Sequence, residues 1–509
     1  MEAHRRRRAA AAGVLADAAA LGVAELLAGV LPGSRSLVLA VGDAVVDRAP
    51  GWLERSAIAA LGTADKPVLV VTVLVLVALV GAGLGVLARR HPRLAAAGVV
   101  LLVAVGVAAA LGDPRGSALG AVLVGVPAAA TGVVALLLMV RAVTPGGAGA
   151  TGTGVSRGRF LALAAGSAAV AVVGAAGGRL LVGREQVERL RRAVRIPAPA
   201  RPAPAVPAGA DLEIPGLAPL FVPNEDFYRI DTALTVPQVD PSAWTLRITG
   251  LVDEPFTLTY ADLMELPQIE ADVTLSCVSN EVGGGLVGNA RWQGVPLRAL
   301  LERAGVQAGA TQLVGRSVDG FSAGFPTVTA LDVGESMVAV AMNGEPLPAE
   351  HGFPARLVVP GLYGYVSATK WLSEIELTGW DDVDGYWIPR GWAKEGPVKT
   401  QSRIDVPRRG AVVPAGRTAV AGVAWAPTRG VERVEVRVDD GPWQEADLAA
   451  SLDVDCWRQW VLSWEATPGT HVVAVRATDG TGEVQTDERT PVAPDGASGR
   501  HTITVQVEG

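Results

Sequence analysis

The chain has 509 residues, 50% of them hydrophobic, and a formal net charge of −7. A chain without a cationic excess is not expected to bind nucleic acid. Its two cysteines can form at most one bridge, which excludes a small disulfide-stapled secreted protein. Almost all of the hydrophobic excess precedes residue 183, so a membrane region is predicted there, followed by enough chain for two soluble domains.

Residues 1–183 are predicted to form a helical membrane bundle of about five spans. Each candidate segment approaches the roughly 20 apolar residues that cross a bilayer; the segments are 9–31, 67–88, 94–112, 117–140 and 160–182. The first segment is the least typical because it contains Asp17 and Glu25, and a charge at mid-membrane is costly. We therefore expect both carboxyl groups to be buried in the bundle or to lie at a shallow depth.

The arginines predict the orientation of this bundle. Positive clusters lie at 5–8, at 89–93 and between 141 and 159, and five spans would place all three on one side. Positive clusters favour the cytoplasm, so everything after residue 183 is expected outside it, although the arginine-rich stretch 184–192 argues mildly for the opposite orientation. The predicted location is a multi-pass cell-membrane protein with its large domain on the extracytoplasmic side.

Residues 156–178 have a second interpretation. The stretch "SRGRFLALAAGSAAVAVVGAAGG" is similar to a twin-arginine export leader, with the two arginines separated by Gly158. Such a leader would indicate a domain that folds before export, usually around a cofactor inserted in the cytoplasm. The alternative is an ordinary cytoplasmic flank of a span, and both interpretations stay open.

Haem is not predicted in this chain. None of the five histidines lies inside a candidate span, and the sequence has no C-x-x-C-H site, whereas a haem bundle needs paired histidines on facing helices. The bundle is therefore expected to be an anchor, a surface for a partner, or both.

Three further regions follow the bundle. Residues 184–211 form a linker, rich in proline and alanine from 195 onward, that is expected to be extended and to hold the next domain off the membrane. Residues 212–400 mix short alternating strands with short helices, which predicts an α+β domain. Residues 401–509 contain closely spaced strands with Gly, Pro and Asp turns, which predicts an all-β immunoglobulin-like sandwich.

Several stretches after residue 211 resemble the sulfite oxidase family of molybdopterin enzymes. They include "NEDFYRIDTALTVPQVDPSAWTLRITGLV" at 224–252 and "LSCVSNEVGGGLVGNARWQGVPL" at 275–297. The most specific stretch is "MNGEPLPAEHGFPARLVVPGLYGYVSATKWL" at 342–372, and "VEVRVDDGPWQEA" at 434–446 lies in the last region. The resemblance implies a molybdenum-cofactor domain followed by an immunoglobulin-like dimerisation domain.

The same resemblance implies the residues of a cofactor site. Cys277 would be the protein thiolate on a molybdenum held by a single pyranopterin. The residues expected to bind the pterin are Tyr228, Arg229, Ser317, His351, Arg356, Thr369 and Lys370. Arginine offers a planar fork and lysine a point charge, which suit a buried phosphate. Taken singly, each residue has an ordinary alternative as a buried hydrophobe, a solvated charge or a turn residue; the ordered set favours the cofactor.

The chain departs from the family on the substrate side. Asp231 stands where an arginine is expected, and Asn280–Val282 replaces an Asn-Arg-Arg sequence. Because Asp231 and Glu281 would repel an anion in a partly desolvated pocket, we expect a neutral or cationic substrate rather than sulfite. Tyr386 is the candidate for the family's catalytic tyrosine, since a phenol donates a hydrogen bond without carrying charge. The predicted catalytic residues are Cys277, Tyr386, Asp231 and Asn280.

The implied chemistry is two-electron oxygen-atom transfer at a sulfur or nitrogen centre. Electrons would pass to a separate partner, a cytochrome or a quinone-linked membrane protein, and the last domain would support a homodimer. Sulfite oxidation proper is the alternative reaction. A metal-free binding or scaffold protein on the same fold is the alternative of another class, against which the presence of Cys277, His351, Arg356 and Lys370 argues.

Overall fold

The structure is a computed structural model that describes residues 2–31, 33–61, 64–143, 157–181 and 184–509. It divides into two units. The helical unit comprises Met1–Gln186 with Ala233–Gln238, and the β-rich unit comprises Val187–Thr232 with Val239–Gly509. The short segment Ala233–Gln238 thus groups with the helices, although the sequence places it inside the predicted α+β domain.

The helical unit contains the apolar half of the chain. Its helices are α1 (Glu2–Val30), α2 (Leu37–Arg48), α3 (Gly51–Leu61), α4 (Asp65–Ala88), α5 (Pro92–Gly112), α6 (Ala118–Val143) and α7 (Arg157–Leu181), and α8 (Arg184–Ala193) leads into the β-rich unit. Neither α2 nor α3 is predicted from the sequence, because both lie between the apolar runs that determine the expected spans.

Four described helices are long and apolar enough to cross a membrane: Glu2–Val30, Asp65–Ala88, Pro92–Gly112 and Ala118–Ala142. The fifth predicted segment is helical, but its apolar part among the described residues is the shorter stretch Phe160–Gly174. The number of spans, and the orientation that depends on it, stay predictions. Ser156, the first residue of the suggested export leader, lies outside the described residues.

Helix α1 packs closely against α4 through small residues. A Cβ atom on Gly85 would lie 2.0 Å from the Ala9 carbonyl oxygen, and one on Gly81 would lie 2.2 Å from Asp17 Oδ2. Helices in lipid associate by such backbone approach because no hydrophobic force drives them together. Asp17 is buried in this bundle, as expected, and Glu25 accepts a hydrogen bond of 2.5 Å from the Ser36 hydroxyl.

The β-rich unit begins with a mixed α+β region, as predicted. One sheet has the order β2 (Phe256–Thr259), β1 (Thr245–Gly250), β10 (Leu372–Thr378), β5 (Gln312–Ser317) and β6 (Ser322–Pro326). The other has the order β3 (Ile269–Ser276), β4 (Val287–Pro296), β7 (Met337–Met342) and β8 (Glu345–Pro346), and β9 (Arg356–Val358) pairs with β7. The helices are α9 (Tyr260–Glu265), α10 (Leu297–Ala304), α11 (Thr327–Asp332) and α12 (Gly364–Ser367).

Strands β3 and β4 pack within the apolar core of this region. Both strands are buried over nearly their whole length, and they pair in antiparallel register with Val273 opposite Ala290. Leu275 and Trp292 join the same apolar core. The end of β3 is therefore held rigidly, which fixes the residue that follows it.

The proline-rich linker does not stand free of this region. The Ala200 amide donates to the Gln268 carbonyl at 2.8 Å, and the Glu270 amide donates to the Arg201 carbonyl at 2.8 Å. The segment is extended, as its prolines predict, but its backbone pairs with the start of β3. The expectation that it only spaces the domain from the membrane is thus incomplete.

After residue 400 the described chain contains strands and no α-helix. One sheet has the order β11 (Gln401–Val406), β13 (Gly416–Trp425), β17 (Arg458–Ala466) and β16 (Asp447–Leu448). The other has the order β12 (Val412–Pro414), β19 (Thr502–Glu508), β18 (Gly469–Asp479), β14 (Val431–Val438) and β15 (Gln444–Glu445). Residues of both sheets share one apolar core, including Val434, Trp460 and Val475. An all-β region is therefore present, and its immunoglobulin-like classification stays a prediction.

Candidate functional site

Cys277 lies in the loop that follows β3, and its side chain is buried. Its amide donates to the Leu286 carbonyl at 2.9 Å, and its carbonyl accepts from the Asn280 amide at 3.1 Å. The Ser279 amide donates to the Cys277 sulfur at 3.4 Å. Burial raises the pKa of the Cys277 thiol, and this amide opposes the rise. The loop thus presents a sulfur that accepts a hydrogen bond, and such a bond favours the thiolate form.

Asn280, predicted as a catalytic residue, shapes this loop. Its side-chain oxygen accepts a hydrogen bond of 2.8 Å from the Leu286 amide. A Cβ atom on Gly284 would lie 2.6 Å from that oxygen, so the turn closes tightly around the amide group. The observed role of Asn280 is to hold the Cys277 loop in one conformation, and its catalytic role stays a prediction.

Two tyrosines lie close enough to Cys277 for a charge on its sulfur to raise their pKa values. Burial of its hydroxyl raises the pKa of Tyr228, Cys277 raises it further, and Arg356 lowers it. Burial raises the pKa of Tyr363 to about 12, with a smaller contribution from Cys277. The sequence predicts Tyr228 as a pterin contact and does not single out Tyr363, although Tyr363 lies within the quoted stretch 342–372. Their phenols bring donor hydroxyls to the surroundings of the thiol.

His351 is also buried. Its Nε2 atom lies 2.9 Å from the Asn224 carbonyl oxygen, so this nitrogen carries the proton and Nδ1 is the acceptor. Burial lowers the pKa of His351 to about 4, helped by Arg356 and Lys370. His351 is therefore neutral at pH 7 and adds no charge to the site.

Arg356 is the most isolated cation of the β-rich unit's interior. It is 5% exposed, and its guanidinium donates to two backbone carbonyls, of His351 at 3.2 Å and of Leu357 at 3.3 Å. The guanidinium also lies over the Trp292 ring, 5.0 Å from its centroid. Burial lowers the pKa of Arg356 to about 10, so it stays protonated at neutral pH. Within the described ranges no carboxylate pairs with it, and a buried cation without a counter-charge costs several kcal/mol.

Asp231 is neutralised by two cations, which corrects the prediction that it faces the pocket as a free negative charge. Lys370 Nζ lies 2.9 Å from Asp231 Oδ2, and Arg229 Nε lies 2.8 Å from the same oxygen. Burial lowers the pKa of Lys370 to about 8, whereas the Asp231 carboxylate raises it. The carboxylate therefore stabilises the lysine charge and leaves little field to repel an anion.

Glu281 gives the second correction to the predicted pocket charge. Its side chain is exposed to solvent, where water and salt screen its field. The expectation that Glu281 repels an anion assumed a desolvated side chain, and its exposure to solvent contradicts that assumption. What remains of the substrate argument is the absence of a cation at Val282.

Ser317 and Thr369 are buried around β5, as their predicted positions near the cofactor require. The Thr369 hydroxyl donates to the Gly315 carbonyl at 3.4 Å, and Ser317 Oγ accepts from the Asp319 amide at 3.4 Å. Both hydroxyls thus make long bonds to backbone groups, and their contact with a pterin stays a prediction.

Tyr386 is positioned by a different set of neighbours. Its amide donates to the Ser322 carbonyl at 2.9 Å, its ring lies 5.8 Å from Phe321, and the Arg390 guanidinium covers the ring at 3.6 Å from its centroid. The loop after β10 thus carries the tyrosine on the edge of β6. Its predicted catalytic role stays a prediction.

The donor set fits a molybdenum pyranopterin with a phosphate group. Arg356, Lys370 and Arg229 against Asp231 leave two positive charges in excess, which a buried phosphate would compensate. Across the described part of the chain, no three His, Cys, Asp or Glu side chains converge as ligands. A metal at Cys277 would therefore depend on one protein thiolate and on ligands that belong to the cofactor.

Comparison with known proteins agrees with this chemistry. Residues 233–387 match the model of the oxidoreductase molybdopterin binding domain, which makes this region a molybdopterin-binding oxidoreductase domain. The chain is 31% identical to sulfite oxidase of Gallus gallus, over 53% of this chain and 69% of that protein. It is 36% identical to the uncharacterized oxidoreductase YuiH of Bacillus subtilis, over 31% of this chain and 76% of that protein.

The chain belongs to the sulfite oxidase family of molybdopterin-dependent oxidoreductases. It is also 30% identical to mitochondrial sulfite oxidase of Mus musculus, over 53% of this chain, and the match spans 58% of that relative's length. The family membership assigns neither a function to the helical unit nor an activity to the whole protein.

Proposed function

We propose that this protein is a membrane-anchored enzyme that transfers an oxygen atom to or from a sulfur or nitrogen centre outside the cytoplasm. The observation that carries the proposal is the buried Cys277 sulfur, which accepts an amide hydrogen bond, together with Tyr228, whose pKa both Cys277 and the buried cation Arg356 shift. A buried cation without a counter-charge among the described residues, as Arg356 is, does not serve packing and indicates that an anionic group is bound there. The four long apolar helices support the membrane anchor.

Named residues of this chain would hold the cofactor. Cys277 would ligate the metal, Arg356 and Lys370 would bind the phosphate, and Tyr228 and His351 would contact the pterin. When bound, the molybdenum centre supplies two-electron oxygen-atom transfer. A separate electron-transfer partner is expected to exchange the electrons one at a time, and the all-β region is expected to support a homodimer.

The protein groups around the thiol have separate tasks. The Ser279 amide stabilises negative charge on the sulfur, as backbone donors do for thiolates. His351 stays neutral, so its Nδ1 can accept a hydrogen bond without adding charge to the phosphate-binding cations. Asp231 holds Lys370 in its charged form. The chain thus keeps its positive charge on the cofactor side.

The proposed substrate is a neutral S- or N-oxide or its reduced partner. Of the nearby cations, Arg229 and Lys370 are paired with Asp231, and Val282 supplies no charge where the family resemblance predicts arginine. An unpaired dianion would therefore find few donors. A cationic substrate is less favoured than the sequence suggests, because Asp231 is neutralised.

Sulfite oxidation is the second candidate, and two observations favour it. Curated relatives that are 30–32% identical to this chain are named sulfite oxidase. The neutralised Asp231 and the exposed Glu281 also remove two charges that would repel sulfite.

A substrate panel on metal-loaded protein tests both candidates. The full chain would be purified from a host that makes the cofactor, its molybdenum measured, and turnover compared for sulfite and for S- and N-oxides in both directions. Turnover of a neutral oxide without sulfite oxidation is expected. Rapid sulfite oxidation at neutral pH would replace the first candidate by the second, and molybdenum below about a tenth of an equivalent would remove both.

A further inference from the structure

A cleft of about 420 Å³ lies beside the loop that carries Cys277. Its walls come from four segments of the β-rich unit: residues 216–218, the glycine run 283–285, residues from 403 to 409, and His501 with Ile503. None of the predicted cofactor residues lines it. The cleft is therefore separate from the buried cluster around Arg356.

The charged groups of this cleft are mostly cationic. Arg403 pairs with Asp405, with 2.6 Å between Nε and Oδ1, and donates to the Gly284 carbonyl at 2.9 Å. Arg409 donates to the Thr502 carbonyl at 2.7 Å, and Arg408 is exposed. One carboxylate thus compensates one of three guanidinium groups, which leaves an excess of two positive charges on a chain whose net charge is −7.

His501 adds a neutral donor to the same wall. It is 8% exposed, and its Nδ1 accepts a hydrogen bond of 3.0 Å from the Ile404 amide, so Nε2 carries the proton. A Cβ atom on Gly283 would lie 2.4 Å from Nε2, which places that N–H against the glycine run. Burial first, then Arg409 and Arg403, lowers the pKa of His501 to about 4, which agrees with a positive local field.

We propose that this cleft binds an oxyanion group, such as sulfate, phosphate or the sulfonate or phosphate of a small organic molecule. An arginine guanidinium group presents two parallel N–H donors, which can bind two oxygen atoms of one oxyanion. The His501 N–H offers a donor that does not change with pH near neutrality, and Gly285 lets a ligand approach the backbone because an added Cβ atom there would meet nothing within 4 Å. The proposal does not depend on which substrate the molybdenum site takes.

Calorimetric titration of the detergent-solubilised full chain tests the proposal. Sodium sulfate, sodium phosphate and methanesulfonate would be titrated at constant ionic strength, with chloride as the reference anion. Saturable binding of one site is expected. Sulfate and phosphate alone would indicate a free inorganic ion, and tighter methanesulfonate binding would indicate a substituted oxyanion.

Variants of the exposed arginines separate the cleft from general salt effects. Arg408→Ala is expected to weaken binding, and Arg408→Ala with Arg409→Ala to weaken it about tenfold or more. The matched control is Arg417→Ala, which removes another exposed arginine of the all-β region that bonds a single side chain, Ser463, at 2.8 Å. Unchanged affinity in the double variant, an equal loss in the control, or no saturable binding to the parent protein would each overturn the proposal.

Discussion

The two cysteines of this chain are both buried, and they differ in the direction of their hydrogen bonds. The Cys277 sulfur accepts a hydrogen bond from the Ser279 amide, whereas the Cys456 thiol donates one of 3.0 Å to the Asp272 carbonyl. Burial raises the pKa of Cys456 well above its ordinary value, and Asp272 adds to the effect. A thiol that donates must keep its proton, and a sulfur that accepts is prepared for negative charge. Burial alone does not separate a ligand from a packing residue.

The regions around the two sulfurs differ in the same way. Next to Cys456, the Trp457 amide donates to the Thr274 hydroxyl at 2.7 Å, and the Trp457 indole donates to the Leu220 carbonyl at 2.9 Å. The first bond joins the all-β region to β3, and the second joins it to the segment that precedes β1. Around Cys277, the neighbours include Tyr228 and Tyr363, whose pKa values a charge on the Cys277 sulfur raises. Cys456 thus belongs to a structural junction, and the surroundings of Cys277 are consistent with the proposed ligand role.

Replacement of each cysteine by serine is expected to give the largest difference in turnover between the two sites. Cys277→Ser is expected to lower turnover by about 100-fold or more, because an alcohol does not replace a thiolate on molybdenum, while circular dichroism and the thermal midpoint stay near those of the parent. Cys456→Ser, the matched control, is expected to keep turnover. Full activity of Cys277→Ser would remove the ligand assignment.

Removal of the charge of Arg356, the buried cation without a carboxylate partner in the described part of the chain, is expected to give the next largest effect. Arg356→Met keeps the approximate volume and removes the charge, so the phosphate loses a buried partner and the cofactor content is expected to fall about tenfold. Molybdenum per chain, measured by elemental analysis, tests this. Arg247→Met is the control, since Arg247 lies on β1 and pairs with Glu374 at the surface. Equal molybdenum content in both variants would contradict the role given to Arg356.

The ion pair of Asp231 predicts a shift in the alkaline limit of activity. Asp231 raises the pKa of Lys370, which burial lowers to about 8. In Asp231→Asn that support is lost, the lysine loses its proton at lower pH, and the alkaline limit of turnover should move down by about one pH unit. Asp240→Asn, which removes a carboxylate that bonds Ser242 in its own turn, is the control. A pH profile that does not move would show that Lys370 is held charged by other groups.

Acid sensitivity is the smallest of the expected effects. His351 has a folded-state pKa of about 4, below its ordinary value of 6.5. The unfolded chain takes up this proton first, so the contribution of His351 to stability is present above pH 6.5 and is lost as the pH falls toward 4. Between pH 7 and pH 5 the loss is about 2 kcal/mol.

Substitution of His351 by glutamine isolates that effect. His351→Gln keeps a donor for the Asn224 carbonyl and should lose less stability on acidification than the parent, as followed by the thermal midpoint of the full chain at both pH values. His91→Gln, at an exposed histidine, should behave as the parent does. An unchanged acid response in His351→Gln would show that this histidine is not buried in its neutral form.

Much of the β-rich unit was predictable because its signals are local. Alternating apolar residues predict strands at 244–252 and 371–379, where β1 and β10 lie, and short helical runs at 259–267 and 296–305 predict α9 and α10. In the helical unit, long apolar runs predict α4 to α6, whereas α2 and α3 were missed because their composition is mixed.

The amino-acid sequence by itself determined the order of regions, the strand that ends at Cys277 and the family motif that contains His351, Arg356 and Lys370, because these depend on neighbouring residues and their spacing. Only the tertiary structure decided the charges. Lys370 meets Asp231 across 139 positions of chain, and that contact turns a predicted repulsive carboxylate into the partner of a buried lysine. Electrostatic effects depend on distance and burial in space, and residue spacing along a chain gives neither.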